Sequence, residues 1–316
     1  MIKAGGADLA VADRRGPGRC LLVHSATVEE HSFTEQFPDA YPASGRIKIR
    51  EMTLPASFDL SRRVAVVTGT GSPDGIGFAA ARLLAELGAA VMISATTARV
   101  HDRVSELRAA GFDAAGVAGD LTDAGAASAL VSAALDHWGR LDILVNNAGM
   151  ISAAVPVFES GTVESMDVTT WQAALARNLT TAFLVTKAAL PAMISRGWGR
   201  IIMVASVTGP VMAIRADAGY AAAKAGMVGL TRAAAVDTAR HGITVNAVAP
   251  GWIATGSQTP HERGQGRATP AGRSGSANEV ATAIAWLASP GASYITGQHL
   301  VVDGGNSIAE ERAAPA

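Results

Sequence analysis

Two residues with complementary chemistry stand four positions apart in the stretch YAAAK, Tyr220 and Lys224. In a helix, residues at i and i+4 share one face, so the ammonium group can lie close to the phenol. A phenol ordinarily has a pKa of about 10, and a neighbouring cation favours the phenolate and lowers that pKa. The pair is therefore suited to general acid–base chemistry. The same spacing is also common on solvated helix faces, where it has no catalytic meaning.

Two further polar residues stand where either chemistry or structure could use them. Ser206 follows a predicted strand and precedes Tyr220, and its hydroxyl could donate to a substrate oxygen or cap a turn. Asn178 lies in an otherwise apolar helical stretch, LARNLTTAFLV. A buried helical Asn costs stability unless its amide is satisfied. Asn178 is therefore either a hydrogen-bonding device in the core or part of a polar relay.

The stretch TGTGSPDGIG has the composition of a phosphate-binding turn. It follows a predicted strand and opens a predicted helix, whose N-terminal N–H groups and positive dipole end favour a pyrophosphate. The spacing G-x5-G-x-G departs from the usual dinucleotide motif, and a strand–helix loop without a ligand is the alternative. Asp74 is expected to face solvent or to interact with the helix dipole. The predicted cofactor contacts here are Gly69, Gly71, Ser72, Asp74, Gly75, Ile76 and Gly77.

The stretch DILVNNAG ends another predicted strand with Asn147, Ala148 and Gly149, at the edge where open α/β sheets bind ligands. A purely structural loop is the alternative. NAD sites place an acidic residue about 20 positions after the glycines, but the strand at 90–94 is followed by Thr96 and Thr97. The missing carboxylate leaves room for a 2′-phosphate.

Arg99 could pair with such a phosphate, or it could be an ordinary solvated arginine at a helix start. We therefore favour NADP(H) over NAD(H) as the cofactor.

Alternating strands and helices must position these motifs. Short β-branched apolar runs predict strands at 64–68, 90–94, 113–118, 142–146, 200–205, 243–248 and 298–302. Ala- and Leu-rich stretches predict helices near 75–88, 99–110, 123–138, 169–195, 219–240 and 277–289. This alternation predicts an α/β class, single-domain Rossmann fold: a doubly wound parallel sheet of about seven strands with helices on both faces.

Composition narrows the functional class. The chain has 316 residues, of which 49% are hydrophobic and 17% charged, so a large buried core is expected. A net charge of −1 gives no electrostatic case for nucleic acid or an anionic membrane as partner. Cys20 is the only cysteine, and no internal disulfide can form. We find no membrane span, no secretory signal and no metal site, and expect a cytoplasmic protein.

The first 51 residues differ from the rest, because they mix Gly, Pro, His and charges without a sustained period. They are either a flexible extension or an artefact of the assigned start, with Met52 as the true one; we favour the second. A native chain shown by mass spectrometry to begin at Met1 would contradict this. The predicted domain covers 52–308, followed by a short tail at 309–316.

Taken together, the motifs resemble the short-chain dehydrogenase/reductase family, especially its branch of 3-oxoacyl-(acyl-carrier-protein) reductases. The resemblance covers residues 58 to 308. It rests on TGTGSPDGIG, GDLTD, NNAG, Asn178, Ser206, YAAAK, VNAVAPGWIAT and ITGQHLVVDGG, in the expected order.

The resemblance implies a catalytic tetrad of Asn178, Ser206, Tyr220 and Lys224. Tyr220 would exchange a proton with the substrate oxygen, and Ser206 would hydrogen-bond that oxygen. Lys224 would lower the pKa of the tyrosine and bind the nicotinamide ribose together with Tyr220, and Asn178 would hold a relay water. The remaining implied cofactor contacts are Asp120, Leu121, Asn147, Ala148, Gly149, Pro250, Gly251, Ile253 and Thr255. The polar stretch at 256–275, in a region spanning about 252–275, would be a mobile substrate lid.

Three departures from the family pattern stand out. The glycine turn is two residues longer, the interval between Ser206 and Tyr220 is one residue longer, and the segment between Gly149 and Asn178 is several residues longer. Asp74 stands where many NADP-dependent members have a basic residue. The first departure predicts a bulge around a pyrophosphate, and the third a reshaped substrate entrance.

Three functions are compatible with these features. The first is reduction of a ketone, possibly a β-ketoacyl thioester on acyl-carrier protein or CoA. The second is dehydrogenation of a secondary alcohol that is not a thioester. A cofactor-binding regulator without turnover is the third, and the complete tetrad argues against it. Family members are usually tetramers, so a homotetramer is expected.

Overall fold

The structure, a computed structural model, describes residues 54–149 and 160–310. The chain divides into two units, Met1–Pro55 and Ala56–Ala316, and every element below belongs to the second. The predicted extension at 1–51 and most of the predicted tail at 309–316 lie outside the described residues. Their boundaries therefore stay predictions.

Seven parallel strands form the central sheet: β1 Val64–Val67, β2 Ala90–Ala95, β3 Ala114–Ala118, β4 Ile143–Asn146, β5 Gly199–Val204, β6 Ile243–Pro250 and β9 His299–Val302. A separate short pair consists of β7 Ile253–Ala254 and β8 Gly275–Ser276. The order in the central sheet is β3-β2-β1-β4-β5-β6-β9. Strand order reverses direction between β1 and β4, the switch point where such sheets bind ligands. The sheet confirms the predicted number and location of strands.

Eight α-helices belong to the described part of the chain. They are α1 Ile76–Glu86, α2 Arg99–Ala109, α3 Ala124–Trp138, α4 Val168–Leu175, α5 Thr181–Arg196, α6 Ala218–Thr238, α7 Pro260–Arg267 and α8 Ala277–Ala288. None of these helices is both long and apolar enough to cross a membrane.

Helices cover both faces of the sheet. One core cluster joins α1, α2 and α8 to one face, and a second joins α3, α5 and α6 to the other. Successive residues of β1 alternate between the two clusters, with Ala65 and Val67 in the first and Val66 in the second. Because each strand is buried on both sides, its sequence reads as a continuous apolar run. The doubly wound fold is thus confirmed.

Two elements differ from the predictions. The predicted helix at 169–195 is divided by a π-helical turn at Ala176–Thr180, between α4 and α5. The polar stretch at 256–275 contains a helix, α7, and its end pairs with β7 through β8. A capping box between Thr259 and Glu262, with Pro260 in the first turn, starts that helix.

Candidate active site

The glycine turn packs directly against the loop that follows β4. Gly69 has a φ of +72°, which favours glycine, and a Cβ there would lie 2.8 Å from Ala148 Cα. Asn147 Nδ2 donates to the carbonyl oxygens of Thr68 and Gly69, each at 3.0 Å. A Cβ on Gly77 would lie 2.4 Å from the same Nδ2 atom. Two motifs far apart in sequence therefore meet because both glycines lack side chains.

The middle of the turn projects toward solvent. Ser72 O accepts a hydrogen bond from Gly75 N at 3.3 Å, while Pro73 and Asp74 are exposed. Helix α1 then begins at Ile76, after Gly75, which has no side chain to cap the first N–H groups. Asp74 thus faces solvent, which was one of the two positions expected for it. Gly256 lies close by, because a Cβ built on it would lie 3.4 Å from Asp74 Oδ2. The side chains of Ser72 and Asp74 therefore lie next to Gly256 in the predicted lid.

This turn fits the pyrophosphate of a dinucleotide. The first turn of α1 carries no acidic side chain. A Cβ built on the buried Gly71 would lie 3.2 Å from Ala95 Cβ and 3.6 Å from Arg99 Nη2, so the guanidinium lies beside the turn. Arg99 Nε also donates to Thr97 Oγ1 at 3.4 Å, and Thr96 is exposed. Two threonines and an arginine therefore follow the end of β2, where NAD sites have a carboxylate.

The other predicted cofactor contacts follow the carboxyl ends of neighbouring strands. Asp120 is exposed and its Oδ1 accepts from Thr122, whereas Leu121 is buried in the core. Ala148 N donates to Thr68 Oγ1 at 2.9 Å. Two backbone hydrogen bonds hold the segment that follows β6: Val207 N donates to Pro250 O and Gly251 N donates to Val302 O, both at 3.0 Å. Further along, Ile253 pairs with Gly275, and the hydroxyls of Thr255 and Ser257 hydrogen-bond to each other.

Asn178 lies in the π-helical turn and is 1% exposed. Its Nδ2 donates to Ala174 O at 3.1 Å. A Cβ on Gly149 would lie 2.7 Å from Asn178 Oδ1 and 3.5 Å from Lys224 Nζ. Gly149 therefore lets the loop after β4 approach both predicted catalytic side chains.

Tyr220, Lys224 and Ser206 form one group between β5 and α6. Lys224 is buried, and its Nζ donates to Val204 O at 2.9 Å and lies 5.5 Å from the centroid of the Tyr220 ring. Ser206 Oγ accepts from Thr208 N at 3.1 Å and also hydrogen-bonds to the Tyr220 side chain. The structure thus brings the four residues of the predicted tetrad, Asn178, Ser206, Tyr220 and Lys224, into one cluster near the glycine turn.

Burial controls the ionisation of this group. Burial is the main cause that raises the pKa of Tyr220 to about 12; the hydrogen bond from Ser206 opposes it, and the charges of Asp217 and Glu262 add smaller upward contributions. Burial also lowers the pKa of Lys224 to about 8. The net shift is upward because burial dominates it; the lowering of this pKa by Lys224 stays a prediction. The neutral phenol is a proton donor.

Two acidic residues of the site were missed in the sequence. Asp217 is 6% exposed, and burial raises its pKa to about 6. Glu262 comes from α7, in the stretch predicted to be a mobile substrate lid. The available signals were an Asp two residues before a predicted helix and the motif T-P-x-E, which starts helices.

Comparison with known proteins agrees with this geometry. A family model described as Enoyl-(Acyl carrier protein) reductase matches residues 69–307. The chain is 44% identical over 253 residues to cis-4-hydroxycyclohexanecarboxylate dehydrogenase from Sinomonas cyclohexanicum, which covers 78% of this chain and 96% of that protein. It is 41% identical over 251 residues to a 3-oxoacyl-[acyl-carrier-protein] reductase from Vibrio cholerae, covering 78% of this chain and 98% of the relative.

Solved structures share both the fold and the sequence pattern. A mutant of a short-chain dehydrogenase/reductase from Serratia marcescens superposes with a TM-score of 0.71 at 35% identity, covering 78% of this chain and 99% of that chain. A dehydrogenase/reductase from Sinorhizobium meliloti gives 0.71 at 33% identity, covering 79% and 97%. The chain therefore belongs to the short-chain dehydrogenase/reductase family of oxidoreductases, in the branch that resembles 3-oxoacyl-[acyl-carrier-protein] reductases.

Proposed function

We propose that this enzyme interconverts a ketone and a secondary alcohol with a nicotinamide cofactor, and that its substrate is a β-ketoacyl thioester carried by acyl-carrier protein or CoA. The observation that carries this proposal is the cluster of Tyr220, Ser206, Lys224 and Asn178 beside the glycine turn. The similarity to the Vibrio cholerae reductase supports the thioester substrate.

The residues between Gly69 and Gly77 would hold the pyrophosphate, against the N-terminus of α1. When bound, the cofactor supplies or accepts the hydride. We propose NADP(H), because the end of β2 lacks a carboxylate and the guanidinium of Arg99 lies beside Gly71. Asp74 does not oppose this, since it is exposed and points to the lid side of the turn.

In the direction of reduction, Tyr220 would give its phenol proton to the carbonyl oxygen of the substrate. Ser206 hydrogen-bonds to the phenol and would orient it toward that oxygen. The phenolate that remains would be stabilised by the Lys224 ammonium, 5.5 Å from the ring centroid. Asn178, packed against Gly149 beside Lys224, would hold the water through which protons return. In oxidation the same groups would work in reverse.

A secondary-alcohol dehydrogenase acting on a non-thioester metabolite is the second candidate. It is favoured by the 44% identity to an enzyme named for a hydroxycyclohexanecarboxylate. The two candidate functions involve the same reaction at the carbonyl or carbinol carbon, and they differ in the rest of the substrate molecule. The substrate must therefore be found by assay.

The test is a spectrophotometric assay of the purified full-length chain. Loss of NADPH absorbance with a short β-ketoacyl thioester, and slow turnover with NADH, is the expected result. Turnover only with an alcohol panel that includes cis-4-hydroxycyclohexanecarboxylate would favour the second candidate. Tight cofactor binding without turnover on either set would contradict both.

The substitution Tyr220→Phe should lower kcat by about a hundredfold to ten-thousandfold, because the substitution removes the proton donor. Cofactor binding, measured by fluorescence titration, should change little. Tyr294→Phe is the matched control, since Tyr294 is fully exposed. A Tyr220→Phe enzyme with wild-type kcat would show that another group transfers the proton.

We further propose a homotetramer located in the cytoplasm. The long helices offer an apolar depression of about 320 Å³. It is lined by Leu179, Thr180, Phe183, Gly226 and Leu230. Phe183 is 45% exposed there, as expected of a side chain that another subunit covers. The single cysteine is compatible with a reducing compartment.

A further inference from the structure

Residues 160–167, which we name the clamp segment, lie in the stretch before α4 that is several residues longer than the family pattern. Two backbone hydrogen bonds join the clamp segment to the start of α6. Gly161 N donates to Ala216 O at 2.9 Å, and Ala218 N donates to Gly161 O at 3.5 Å. The clamp segment therefore holds α6 at the end that carries Tyr220.

The backbone at Ala216 depends on this support. Its φ of +56° lies in the left-handed region, which an alanine rarely adopts. Such residues persist where the surrounding contacts fix them, and they cluster at functional sites. The Ala216 carbonyl is held by Gly161 N, and α6 begins two residues later, at Ala218. Without the clamp segment, the chain would therefore be free to relax at the start of the catalytic helix.

The Met166 side chain packs against the same turn of α6. Gly219, the residue before Tyr220, is buried. A Cβ on Gly219 would lie 3.4 Å from Met166 Sδ and 2.7 Å from Ala174 Cβ, so Met166 and α4 both contact the helix backbone here. Ala174 O is also the acceptor of the hydrogen bond from Asn178 Nδ2. Met166 therefore lies where Tyr220 and Asn178, two residues of the proposed tetrad, are set relative to each other.

The chain on both sides of Met166 is fixed by hydrogen bonds. Met166 N donates to Thr162 O at 3.0 Å and closes a turn. Within that turn, Thr162 N donates to Ser165 Oγ at 3.0 Å and Ser165 N donates to Thr162 Oγ1 at 3.2 Å. Asp167 caps α4 by accepting from Thr170 N at 2.9 Å. Because its neighbours are already ordered, Met166 loses little further backbone freedom when it packs against α6.

We propose that Met166 is a positioning residue: held by the clamp segment, it keeps the first turn of α6 against α4 and so fixes Tyr220 for proton transfer. The role goes beyond the tetrad and rests on the proposed function of Tyr220 as the proton donor. Displacing a reacting group by about 1 Å can cost about a hundredfold in rate. A side chain that acts only through the helix can therefore control kcat.

The test combines hydrogen exchange and steady-state kinetics on the full-length chain. Met166→Ala removes the Sδ and Cε atoms that lie against Gly219. The amides of residues 218–221 should then exchange about tenfold faster, and kcat should fall about tenfold while KM for the cofactor stays unchanged. Met166→Leu, which keeps most of the side-chain volume, should restore both values. Val163→Ala, in the same segment, is the matched control and should behave as the wild type, because Val163 is 90% exposed.

Three results would overturn the proposal: unchanged exchange at 218–221 in Met166→Ala, faster exchange there with wild-type kcat, or exchange raised equally in every element, as a purely structural role requires. If Met166→Ala does not fold, Met166→Val, which also lacks Sδ and Cε, takes its place with the same expected results. Exchange needs no turnover. Faster exchange confined to 218–221, in an enzyme that reduces no ketone and oxidises no alcohol, would support the clamp and count against the proposed function alone.

Discussion

Tyr220 and Lys224 have pKa values shifted in opposite directions by one cause, burial. The low dielectric of the site disfavours both the phenolate and the ammonium, so each neutral form is favoured. For reduction this is useful, since the phenol must be protonated at the start. Because the pKa of Lys224 is about 8, the charge that stabilises the phenolate is lost above that pH.

Arg99 is the residue on which the proposed cofactor preference depends. Arg99→Ala should raise KM for NADPH about tenfold and leave KM for NADH nearly unchanged, because only the 2′-phosphate would lose a charge-assisted hydrogen bond. Steady-state kinetics with both cofactors measure this ratio. Arg82→Ala, which removes an exposed ion pair with Glu86, is the control. Equal losses with both cofactors would refute the assignment.

The buried carboxylate of Asp217 should also affect stability. Its pKa is about 6 in the folded state, against an ordinary value of 3.8. The folded protein therefore binds more protons between those values, and stability falls as pH rises from about 4 to about 6. Asp217→Asn should be more stable than the wild type by about 1 to 2 kcal/mol at pH 7.5, and equally stable near pH 4.

Urea unfolding at the two pH values measures this difference. Asp123→Asn should show no such gain, since the Asp123 carboxylate caps α3. If Asp217→Asn differed from the wild type by the same free energy at both pH values, the raised pKa of Asp217 would not be the cause of the difference.

At the scale of elements, capping boxes start both α7 and α8, but the two helices differ in how much of their surface is buried. Helix α8 buries Val280 and Ile284 against the sheet, whereas α7 buries only Gly266. Ser276→Ala should therefore lower the free energy of unfolding by about 1 kcal/mol. Thr259→Ala should reduce hydrogen-exchange protection of α7 and leave global stability nearly unchanged. Denaturant unfolding and exchange measurements distinguish the two, and equal global losses would contradict this division.

The π-helical turn shows how local hydrogen bonds shape the site. Asn178 Nδ2 donates to Ala174 O, and Thr181 Oγ1 donates to Ala176 O at 3.1 Å. Such side-chain bonds compete with the regular helical ladder, and π-turns often occur at functional sites. The turn places Asn178 against Gly149, at the carboxyl end of β4.

At the scale of the whole molecule, the two ends of the sheet have different roles. At the amino end of β4, Asp142 is fully buried, accepts from Val64 N at 2.9 Å and pairs with Arg140 and Arg63. Trp198 lies under Arg63 and Arg200, 3.8 and 4.4 Å from the guanidinium carbons. The carboxyl end holds the glycine turn, Asn178 and Tyr220. Structural charges and catalytic groups are thus separated by the length of the strands.

Phe183 lies in the apolar depression where we propose that subunits associate. Phe183→Glu should convert the proposed tetramer into smaller species, because it places a charge in the apolar depression between α5 and α6. Light scattering coupled to size exclusion measures the mass. Phe183→Leu, which keeps the surface apolar, should remain tetrameric. A Phe183→Glu protein of unchanged mass would place the interface elsewhere.

The sequence by itself determined the order of strands and helices, because runs buried on both faces remain apolar and helices keep their periodicity. It also indicated the glycine turn, the YAAAK pair, Ser206 and Asn178, since each is a short local pattern. The helix α7 was recognisable in principle from T-P-x-E and was overlooked within a polar stretch.

Only the tertiary structure decided how these pieces meet. The contact of Gly149 with Asn178 and Lys224 joins residues separated by tens of positions, and no local pattern encodes it. The net direction of the Tyr220 pKa shift depends on burial and on Asp217 and Glu262, which no local pattern encodes. Desolvation and charge–charge interaction act through space, so the ionisation of this site belongs to the folded chain.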